Sequence, residues 1–359
     1  MTQNTIDSTQ IIIGVDPHKD THAAVALNAL GARLGDRIEP ANPAGYQQLL
    51  NWAKTFGQQV AFGVEGTGSY GKGLTQFLRR QGLKVVEVSR PCRRGQQRLQ
   101  GKDDLLDAED AARQVLAGLA TATPKSSEGA VEMIRILKAA RDTAVKAQTQ
   151  VMVALKAMIV TADAALRAQL EPLSTPQLIK ACQQLEVETL DMPLATMRYA
   201  LAAMAKRWPQ LHEEIETHIQ HLTALTQAAA PELVQAFGIG PDTAAEMLIT
   251  FGDNAERVHS EAAFAKMCGV CPIPASSGKT QRHRLNRGGN RQANAALFRV
   301  VIVRMRWHQP TQDYVAHRTA QGLSKREIIR CLKRYVAREI YHIIRKTRST
   351  SEVPDSRQA

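Results

Sequence analysis

Four acidic residues in the first third of this 359-residue chain stand at positions that favour metal chemistry. Asp16 and Glu65 each close a short apolar run that is typical of a buried strand. Asp104 and Asp107 are three residues apart, which on a helix places both on one face with Cβ atoms about 5–6 Å apart. Converging carboxylates repel one another unless cations are bound, and hard oxygen ligands suit Mg²⁺ or Mn²⁺. Two such ions, about 3.5–4 Å apart, can hold a scissile phosphate.

The elements that must position these residues alternate between strands and helices. We predict strands at 11–16, 22–27, 33–38, 60–65 and 83–88, and helices at 44–56, at 70–80 and from 103 onward. This order predicts an α/β ribonuclease-H-like (RuvC-like) domain over residues 1–125, with three antiparallel strands extended by parallel ones. In such a sheet the first and fourth strands are central neighbours. We therefore expect Asp16 beside Glu65, with the acidic helix packed across them.

Other interpretations of this region remain open. The acidic helix can equally be a solvated surface. His18 and His22 follow Asp16 closely, and either contact phosphate or serve a turn. A basic run before the acidic helix is a candidate nucleic-acid contact, formed by Arg90, Arg93, Arg94, Arg98 and Lys102.

Residues 126–230 form a helical section. Apolar residues recur at helical spacing, as at Ile134, Leu137, Ala144, Val151, Leu155 and Met158, and again at Leu211, Ile215, Leu222 and Leu225. We expect Pro172, Pro176, Pro193 and Pro209 to break this section into pieces. The apolar stripes indicate either a coiled-coil linker that forms dimers or a plain helical core.

A third section, residues 231–348, is predicted to be a mainly α C-terminal domain, followed by a disordered tail over 349–359. Gly238 and Gly240 lie in a helix-hairpin-helix-like turn whose backbone N–H groups can meet a phosphate. A loop rich in Pro, Ser, Gly and Arg covers 271–290, and basic helices follow at 292–306 and 325–346. The spacing of Cys268 and Cys271 allows a zinc site, although structural cysteines are the stronger interpretation.

Positive charge is concentrated at this end of the chain. The net charge is +12, yet Lys279–Lys346 alone holds 17 Lys and Arg against three acids, a local net of +14. Such asymmetry indicates a module that binds a polyanion. The candidate contacts in its loop are Lys279, Arg282, Arg284, Arg287 and Arg291.

The remaining composition narrows the class. Five cysteines, an odd number, argue against a disulfide framework and for a reducing compartment. No apolar run is long enough to span a membrane, and the N-terminus lacks a secretory pattern. We therefore expect a cytoplasmic protein with no membrane partner.

With these residues in view, the chain resembles the DEDD transposases of the insertion-sequence 110 family, which includes the pilin-gene DNA invertase. The resemblance covers nearly the whole chain. It rests on Gly14-Val15-Asp16-Pro17-His18-Lys19, Val64-Glu65-Gly66-Thr67-Gly68-Ser69-Tyr70, Lys102-Asp103-Asp104-Leu105-Leu106-Asp107-Ala108, Gly238-Ile239-Gly240-Pro241, Ser276-Ser277-Gly278-Lys279 and Arg287-Gly288-Gly289-Asn290-Arg291.

The resemblance implies a function for each part. Asp16, Glu65, Asp104 and Asp107 would be a catalytic metal-binding tetrad, with Asp104 preferred to Asp103 for its spacing to Asp107. A Ser-Gly pair would supply the serine that attacks DNA, which is Ser277 here, or failing that Ser276. The family also implies donor and target DNA as substrates, a structured non-coding guide RNA, a homodimer or tetramer, and a bacterial, nucleoid-associated location.

Three rival functions keep part of this argument. A RuvC-like junction-resolving nuclease would use metal-activated water and would not need Ser277. A sugar-kinase-like ATPase would use Glu65-Gly-Thr-Gly-Ser-Tyr-Gly as a phosphate loop, but it would need a Gly/Thr-rich turn where Pro17 follows Asp16. A non-catalytic nucleic-acid-binding protein would bind no metal at the tetrad.

Overall fold

The computed structural model describes residues 10–57, 60–89, 103–186, 189–254, 257–278 and 283–351. The chain divides into two compact units. The first unit is Met1–Ser127 with Gly252–His259, and the second is Glu128–Phe251 with Ser260–Ala359. No helix in the described ranges is long and apolar enough to cross a membrane.

The first unit is built on a five-stranded mixed sheet, as far as the described residues show. Its elements are β1 (Ile11–Pro17), β2 (Thr21–Leu27), β3 (Arg33–Pro40), α1 (Pro43–Lys54), β4 (Val60–Glu65), α2 (Lys72–Arg80), β5 (Lys84–Val88) and α3 (Asp104–Leu116). The strand order is β3-β2-β1-β4-β5. Strands β1, β2 and β3 are antiparallel, whereas β4 and β5 extend the sheet in parallel from β1. The predicted strands, their order and their directions are confirmed, with ends shifted by at most two residues.

Helices cover both faces of this sheet. On one face, α1 and α2 bury Leu49, Leu50, Leu74 and Leu78 against alternate residues of β1, β2 and β4. On the other face, α3 buries Ala108 and Ala112 against the intervening residues. The alternation follows from the two-residue period of a strand, and it explains why the central strands are apolar on both sides.

The second unit is mostly helical. Its elements are α4 (Ala130–Val160), α5 (Ala164–Leu170), α6 (Thr175–Gln183), α7 (Pro193–Ala229), α8 (Pro231–Gln235), α9 (Pro241–Phe251), α10 (Glu261–Met267), β6 (Ile273–Pro274), β7 (His283–Arg284), α11 (Arg291–Trp307), α12 (Gln309–Ala320) and α13 (Lys325–Ser351). The long helices α4 and α7 pack against each other. Ile134, Val151, Leu155, Ile215 and Leu222, from the predicted apolar stripes, are buried.

One predicted helix break is wrong. Pro209 lies inside α7, which continues past it. A proline there removes the hydrogen bond to the carbonyl of residue 205. The Gln183 side chain donates to the Ala205 carbonyl oxygen at 3.2 Å, so that oxygen keeps a donor. Pro176 and Pro193 stand in the first turns of α6 and α7, where proline is tolerated.

The last helix also extends further than predicted. Helix α13 continues to Ser351, past the expected end at Lys346. The residues after Lys346 contain no helix breaker before Pro354, and the Thr347 hydroxyl donates to the Ile343 carbonyl at 3.0 Å. The rest of the expected tail, 352–359, lies outside the described residues.

Candidate metal centre

Asp16 and Glu65 lie at the ends of the two central parallel strands. Strands β1 and β4 pair in parallel with Val15 opposite Val64, so the residues that follow are neighbours across the sheet. Both carboxylates are partly buried. Alternate strand residues share a face, which places Asp16 on the side of Gly14, and Glu65 on the side of Gly63.

These two glycines allow α3 to lie directly on the sheet. Gly14 and Gly63 are paired in register on the two strands. A Cβ atom on Gly14 would come within 1.9 Å of the Ala108 carbonyl oxygen, and one on Gly63 within 2.6 Å of Val115 Cγ2. Any side chain at Gly14 would push α3 away. Because glycine has no side chain, the acidic helix can lie against the carboxylate end of the sheet.

The first turn of α3 separates the roles of its three aspartates. Asp103 is the exposed N-cap, and its carboxylate accepts a hydrogen bond of 3.0 Å from the Leu105 N–H. Asp104 and Asp107 are partly buried and lie in the first helical turn. Asp103 therefore has a structural task that explains its residue type, as expected for an N-cap.

His18 bridges two of the carboxylates. Its Nε2 lies 3.2 Å from Asp16 Oδ2 and 3.2 Å from Asp104 Oδ1. One ligand atom from each of Asp16, His18 and Asp104 lies within 4.8 Å of the other two, a geometry that fits one metal ion. The His18 backbone N–H donates to the Thr21 carbonyl at 2.9 Å, so the residue also forms the turn between β1 and β2.

The electrostatics of Asp16 reflect this crowding. Burial raises the pKa of Asp16, and Glu65, Asp107 and Asp104 raise it further, while His18 offsets part of the increase. These repulsive contributions come from all three other predicted carboxylates, but Glu65 and Asp107 are not part of the group of ligand atoms formed by Asp16, His18 and Asp104. A cluster of hard oxygen donors with one imidazole nitrogen fits a divalent cation, because bound positive charge would relieve the repulsion.

His22 differs from His18 in its surroundings. Its ring is buried and stacks on Tyr46 with centroids 5.5 Å apart and planes 7° from parallel. Burial lowers the pKa of His22, despite a hydrogen bond from Nδ1 to the Thr21 carbonyl. A ring buried this deeply does not reach a phosphate, so a phosphate contact, one of the two roles expected for His22, is wrong.

In the second unit, Ser277 lies on an exposed loop. Both Ser276 and Ser277 are exposed, and Gly278 has a φ of +54°, the left-handed region that glycine adopts without strain. Arg284, Arg287 and Arg291 are exposed as well. Seven further predicted nucleic-acid contacts lie outside the described residues, namely Arg90, Arg93, Arg94, Arg98, Lys102, Lys279 and Arg282.

The turn containing Gly238 and Gly240 precedes α9, and an acidic residue occupies the first turn of that helix. Asp242 pairs with Lys138 at 2.8 Å, Arg141 at 3.0 Å and Arg299 at 3.2 Å. A carboxylate at a helix N-terminus is favoured by the same dipole that would attract a phosphate. A phosphate contact at Gly238 and Gly240 stays a prediction.

Cys268 and Cys271 do not belong to a metal cluster among the described residues. Cys268 is fully buried, and burial together with Glu246 raises the pKa of its thiol to about 12. Cys271 Sγ lies 3.2 Å from the donor Asn286 Nδ2.

Comparison with known proteins bears directly on this arrangement. A model for the DEDD transposases of IS110, described as "Transposase", matches residues 13–163. A second model, "Transposase IS116/IS110/IS902 family", matches residues 230–316. Over these two ranges the chain is similar to the IS110 family of DEDD transposases.

A curated relative agrees with this family. The chain is 26% identical over 165 residues to "Insertion element IS110 uncharacterized 43.6 kDa protein" of Streptomyces coelicolor. The match covers 45% of this chain and 40% of that relative. The first family match contains all four tetrad positions, and the second contains Ser277 with the glycine turn.

Two features of this site are not predicted by the sequence patterns. His18 was assigned to a phosphate contact or a turn, whereas its ring contacts two of the carboxylates. The paired glycines are not among the predicted features, although the sequence repeats Gly-Val before an acid at Gly14-Val15-Asp16 and at Gly63-Val64-Glu65. That repeat on two adjacent parallel strands could have indicated close helix packing next to the carboxylates.

Proposed function

We propose that this chain is a transposase that cuts and rejoins DNA strands at the carboxylate site of its first unit. The observation that carries the proposal is the group of ligand atoms formed by Asp16, His18 and Asp104. Glu65 ends the neighbouring strand, and Asp107 lies in the same first turn of α3 as Asp104. The mixed sheet with order β3-β2-β1-β4-β5 supports a ribonuclease-H-like, RuvC-like domain, in which acids at the ends of the two central strands form the active site.

The four carboxylates would hold Mg²⁺ or Mn²⁺. When bound, such cations stabilise the attacking and leaving oxygens of a phosphate undergoing in-line displacement. The residues themselves orient the cation ligands: Gly14 and Gly63 fix the distance between helix and sheet, and Asp103 fixes the start of α3. His18 orients the Asp16 and Asp104 carboxylates toward a common point.

Ser277 is the proposed nucleophile. Its hydroxyl oxygen forms a bond to phosphorus while the bond from phosphorus to a strand oxygen breaks. The serine proton passes to solvent, and the leaving oxygen takes up a proton from solvent, so the released strand ends in a hydroxyl. Because one phosphate ester is exchanged for another, the strands can be rejoined without ATP. The exposure of Ser277 and the family resemblance support this role.

The partners follow from charge and family. We propose donor and target DNA as substrates, a structured guide RNA as the selector of both, and self-association through α4 and α7 into a homodimer or tetramer. The exposed Arg284, Arg287 and Arg291 favour a polyanion. The alternative is a RuvC-like resolving nuclease that uses metal-activated water, and the chemistry of Ser277 distinguishes the two.

The carboxylate site is tested by comparing adjacent aspartates. Asp104→Asn should reduce strand cleavage by more than about 100-fold, since loss of a direct metal ligand exceeds the 10–100-fold typical of losing an outer partner. Asp103→Asn should keep cleavage, because asparagine also caps helices well. If Asp104→Asn cleaves normally and Asp103→Asn does not, then Asp103 is the metal ligand and the choice of Asp104 is wrong. Normal cleavage by every tetrad variant would reject the nuclease.

The nucleophile is tested by trapping the reaction on labelled DNA with denaturant. A protein–DNA adduct should form with the wild type and with Ser276→Ala, and should be lost with Ser277→Ala. Cleavage by the wild type without an adduct would favour the hydrolytic resolvase. Strand exchange by Ser277→Ala would remove this serine from the mechanism.

A further inference from the structure

The second unit contains a basic cavity of about 620 Å³. It lies between the β6–β7 hairpin, the turn after α10 and the first half of α13. Its volume falls in the range of roughly 300–1,000 Å³ that is usual for small-ligand pockets. Arg284, Arg330, Lys333 and Arg334 line it, and Glu327 is its one carboxylate among the described residues. This excess of positive charge suits an anionic ligand.

Lys333 is the most unusual of these cations because it is buried. Its Nζ donates to Asn294 Oδ1 at 2.8 Å. Asn294 is held in turn, since its Nδ2 donates to the carbonyls of Cys268 and Gly269 at 3.1 and 3.0 Å. Burial, with a contribution from Arg330, lowers the pKa of Lys333. A buried ammonium whose acceptor is a neutral amide gains from an anion that enters the cavity.

The two arginines beside Lys333 are only partly engaged. Arg334 contacts Glu261 through one terminal nitrogen at 3.0 Å, while its buried Nη1 has no hydrogen-bond partner among the described residues. Arg330 is 3.9 Å from Glu327, whose carboxylate accepts from the Ser324 N–H at 2.9 Å and from the Ser324 hydroxyl at 2.6 Å. Guanidinium donors remain for the oxygens of a phosphate.

An aromatic ring completes the cavity. Tyr335 packs against Tyr314 with ring planes at 88° and centroids 5.6 Å apart, which fixes its orientation. The residue is still 49% exposed. Leu285 and Leu323 add apolar surface to the lining. A fixed, half-exposed ring beside cations is how proteins hold an unstacked base.

We propose that this cavity binds one unpaired nucleotide of a DNA or RNA strand, with its phosphate at Arg330, Lys333 and Arg334 and its base on Tyr335. The inference rests on the proposed function, in which DNA strands are cut and rejoined under selection by a guide RNA, and it names the part of the second unit that holds an unpaired strand. A paired base stays stacked inside its duplex and does not enter a cavity of this size, so the ligand is single-stranded.

The test measures binding of the full-length protein, in EDTA, to a fluorescent single-stranded DNA, the RNA of the same sequence, the matching duplex and an abasic strand. Tyr335→Leu should weaken single-strand binding about 5- to 150-fold, the range for losing one base–aromatic stack, and should leave the duplex and the abasic strand unaffected. Tyr335→Phe should retain wild-type affinity.

The cations are tested with variants of α13, in which Arg330→Gln is compared with the matched control Arg326→Gln. Arg330→Gln and Lys333→Met should weaken binding of single strands, the abasic strand included, and lower the log–log salt slope by about 0.7 per lost phosphate contact. The control is Arg326→Gln, an exposed residue of α13 outside the cavity, which should have the smaller effect. An effect confined to DNA or to RNA identifies the strand that occupies the cavity.

Two results would overturn the proposal. One is unchanged single-strand affinity in Tyr335→Leu, and the other is an Arg330→Gln variant that binds no worse than Arg326→Gln. Because EDTA prevents cleavage during the binding assay, the cavity and the proposed function are tested by separate measurements. If the cavity variants lose single-strand affinity but the wild type never cuts DNA in Mg²⁺, only the proposed function is rejected. If the wild type cuts DNA but the cavity variants keep their single-strand affinity, only the cavity proposal is rejected.

Discussion

Two partly buried aspartates, Asp16 in the first unit and Asp242 in the second, have opposite surroundings. Their side chains are 14% and 35% exposed. Burial raises the pKa of Asp16, His18 offsets part of the increase, and three carboxylates add to it. Burial acts on Asp242 as well, but the hydrogen bond and charge of Lys138, with Arg141 and Arg299, outweigh it and lower the pKa.

The difference shows how structural and functional carboxylates can be told apart. Asp242 connects α9 to α4 and α11 through cations, so its charge stabilises the second unit. Asp16 faces other carboxylates, so its charge opposes folding until positive charge arrives. A site that keeps such repulsion is one where a ligand supplies the compensation.

The largest expected effect separates the two aspartates by activity. Asp16→Asn should reduce strand cleavage by more than about 100-fold, because a direct cation ligand is lost. Wild-type protein should gain about 2.7 kcal/mol of stability when Mg²⁺ is present at 100 times its Kd, and Asp16→Asn should gain far less. Asp242→Asn should retain both the gain and the cleavage. Thermal unfolding with and without Mg²⁺ measures this, and an equal Mg²⁺ gain in all three proteins would break the comparison.

A smaller effect is expected at His18, whose ring contacts both Asp16 and Asp104. His18→Ala should weaken Mn²⁺ binding about 10- to 100-fold, the usual cost of losing a residue that orients metal ligands. His18→Gln, which can still donate a hydrogen bond, should recover part of the loss. Electron paramagnetic resonance of bound Mn²⁺ measures the affinity without any need for cleavage. Identical Mn²⁺ affinity in His18→Ala would limit the residue to its turn.

The packing that brings the carboxylates together can also be disrupted. Gly14→Ala should lower the free energy of unfolding by about 1–3 kcal/mol, because the new methyl group meets the Ala108 backbone. It should also weaken Mg²⁺ binding by moving Asp104 and Asp107 from Asp16. Gly68→Ala is the matched control, since nothing lies within 4 Å of a Cβ at Gly68. Equal effects of the two variants in chemical denaturation would show that α3 tolerates displacement.

The architecture of the first unit was accessible from the sequence because its determinants are local. Short apolar runs bounded by turns identified the strands, and their order with helices implied that Asp16 and Glu65 end adjacent strands. The position of His18 was not accessible, because it depends on how far α3 stands from the sheet. That distance is set by Gly14 and Gly63, whose importance is visible only when the strands are paired.

The second unit shows the complementary failure. Helical periodicity predicted its helices, but it could not show that Gln183 would compensate for Pro209. The charges of Lys138 and Asp242 are over a hundred residues apart in sequence, and no pattern joins them. Charge density alone indicated a polyanion partner, whereas the cavity at Lys333 depends on contacts between α13, α11 and the turn after α10.

The smallest effect concerns the pH dependence of the second unit. The folded pKa of Asp242 lies below its unfolded value, so its contribution to stability is present at neutral pH and is lost as pH falls through the folded pKa. Asp242→Asn should therefore lower the free energy of unfolding by about 1–3 kcal/mol at pH 7, toward the lower end because the side chain is about a third exposed. Below that pKa the free energies of unfolding of the variant and the wild type should converge.

The control is Asp36→Asn, which changes an exposed and salt-bridged carboxylate of β3 and should lower the free energy of unfolding less at pH 7. Denaturant unfolding from pH 7 to pH 3 follows both. A destabilisation by Asp242→Asn that persists unchanged at pH 3 would mean that packing, not charge, is what Asp242 contributes, and the contrast with Asp16 would lose its electrostatic basis.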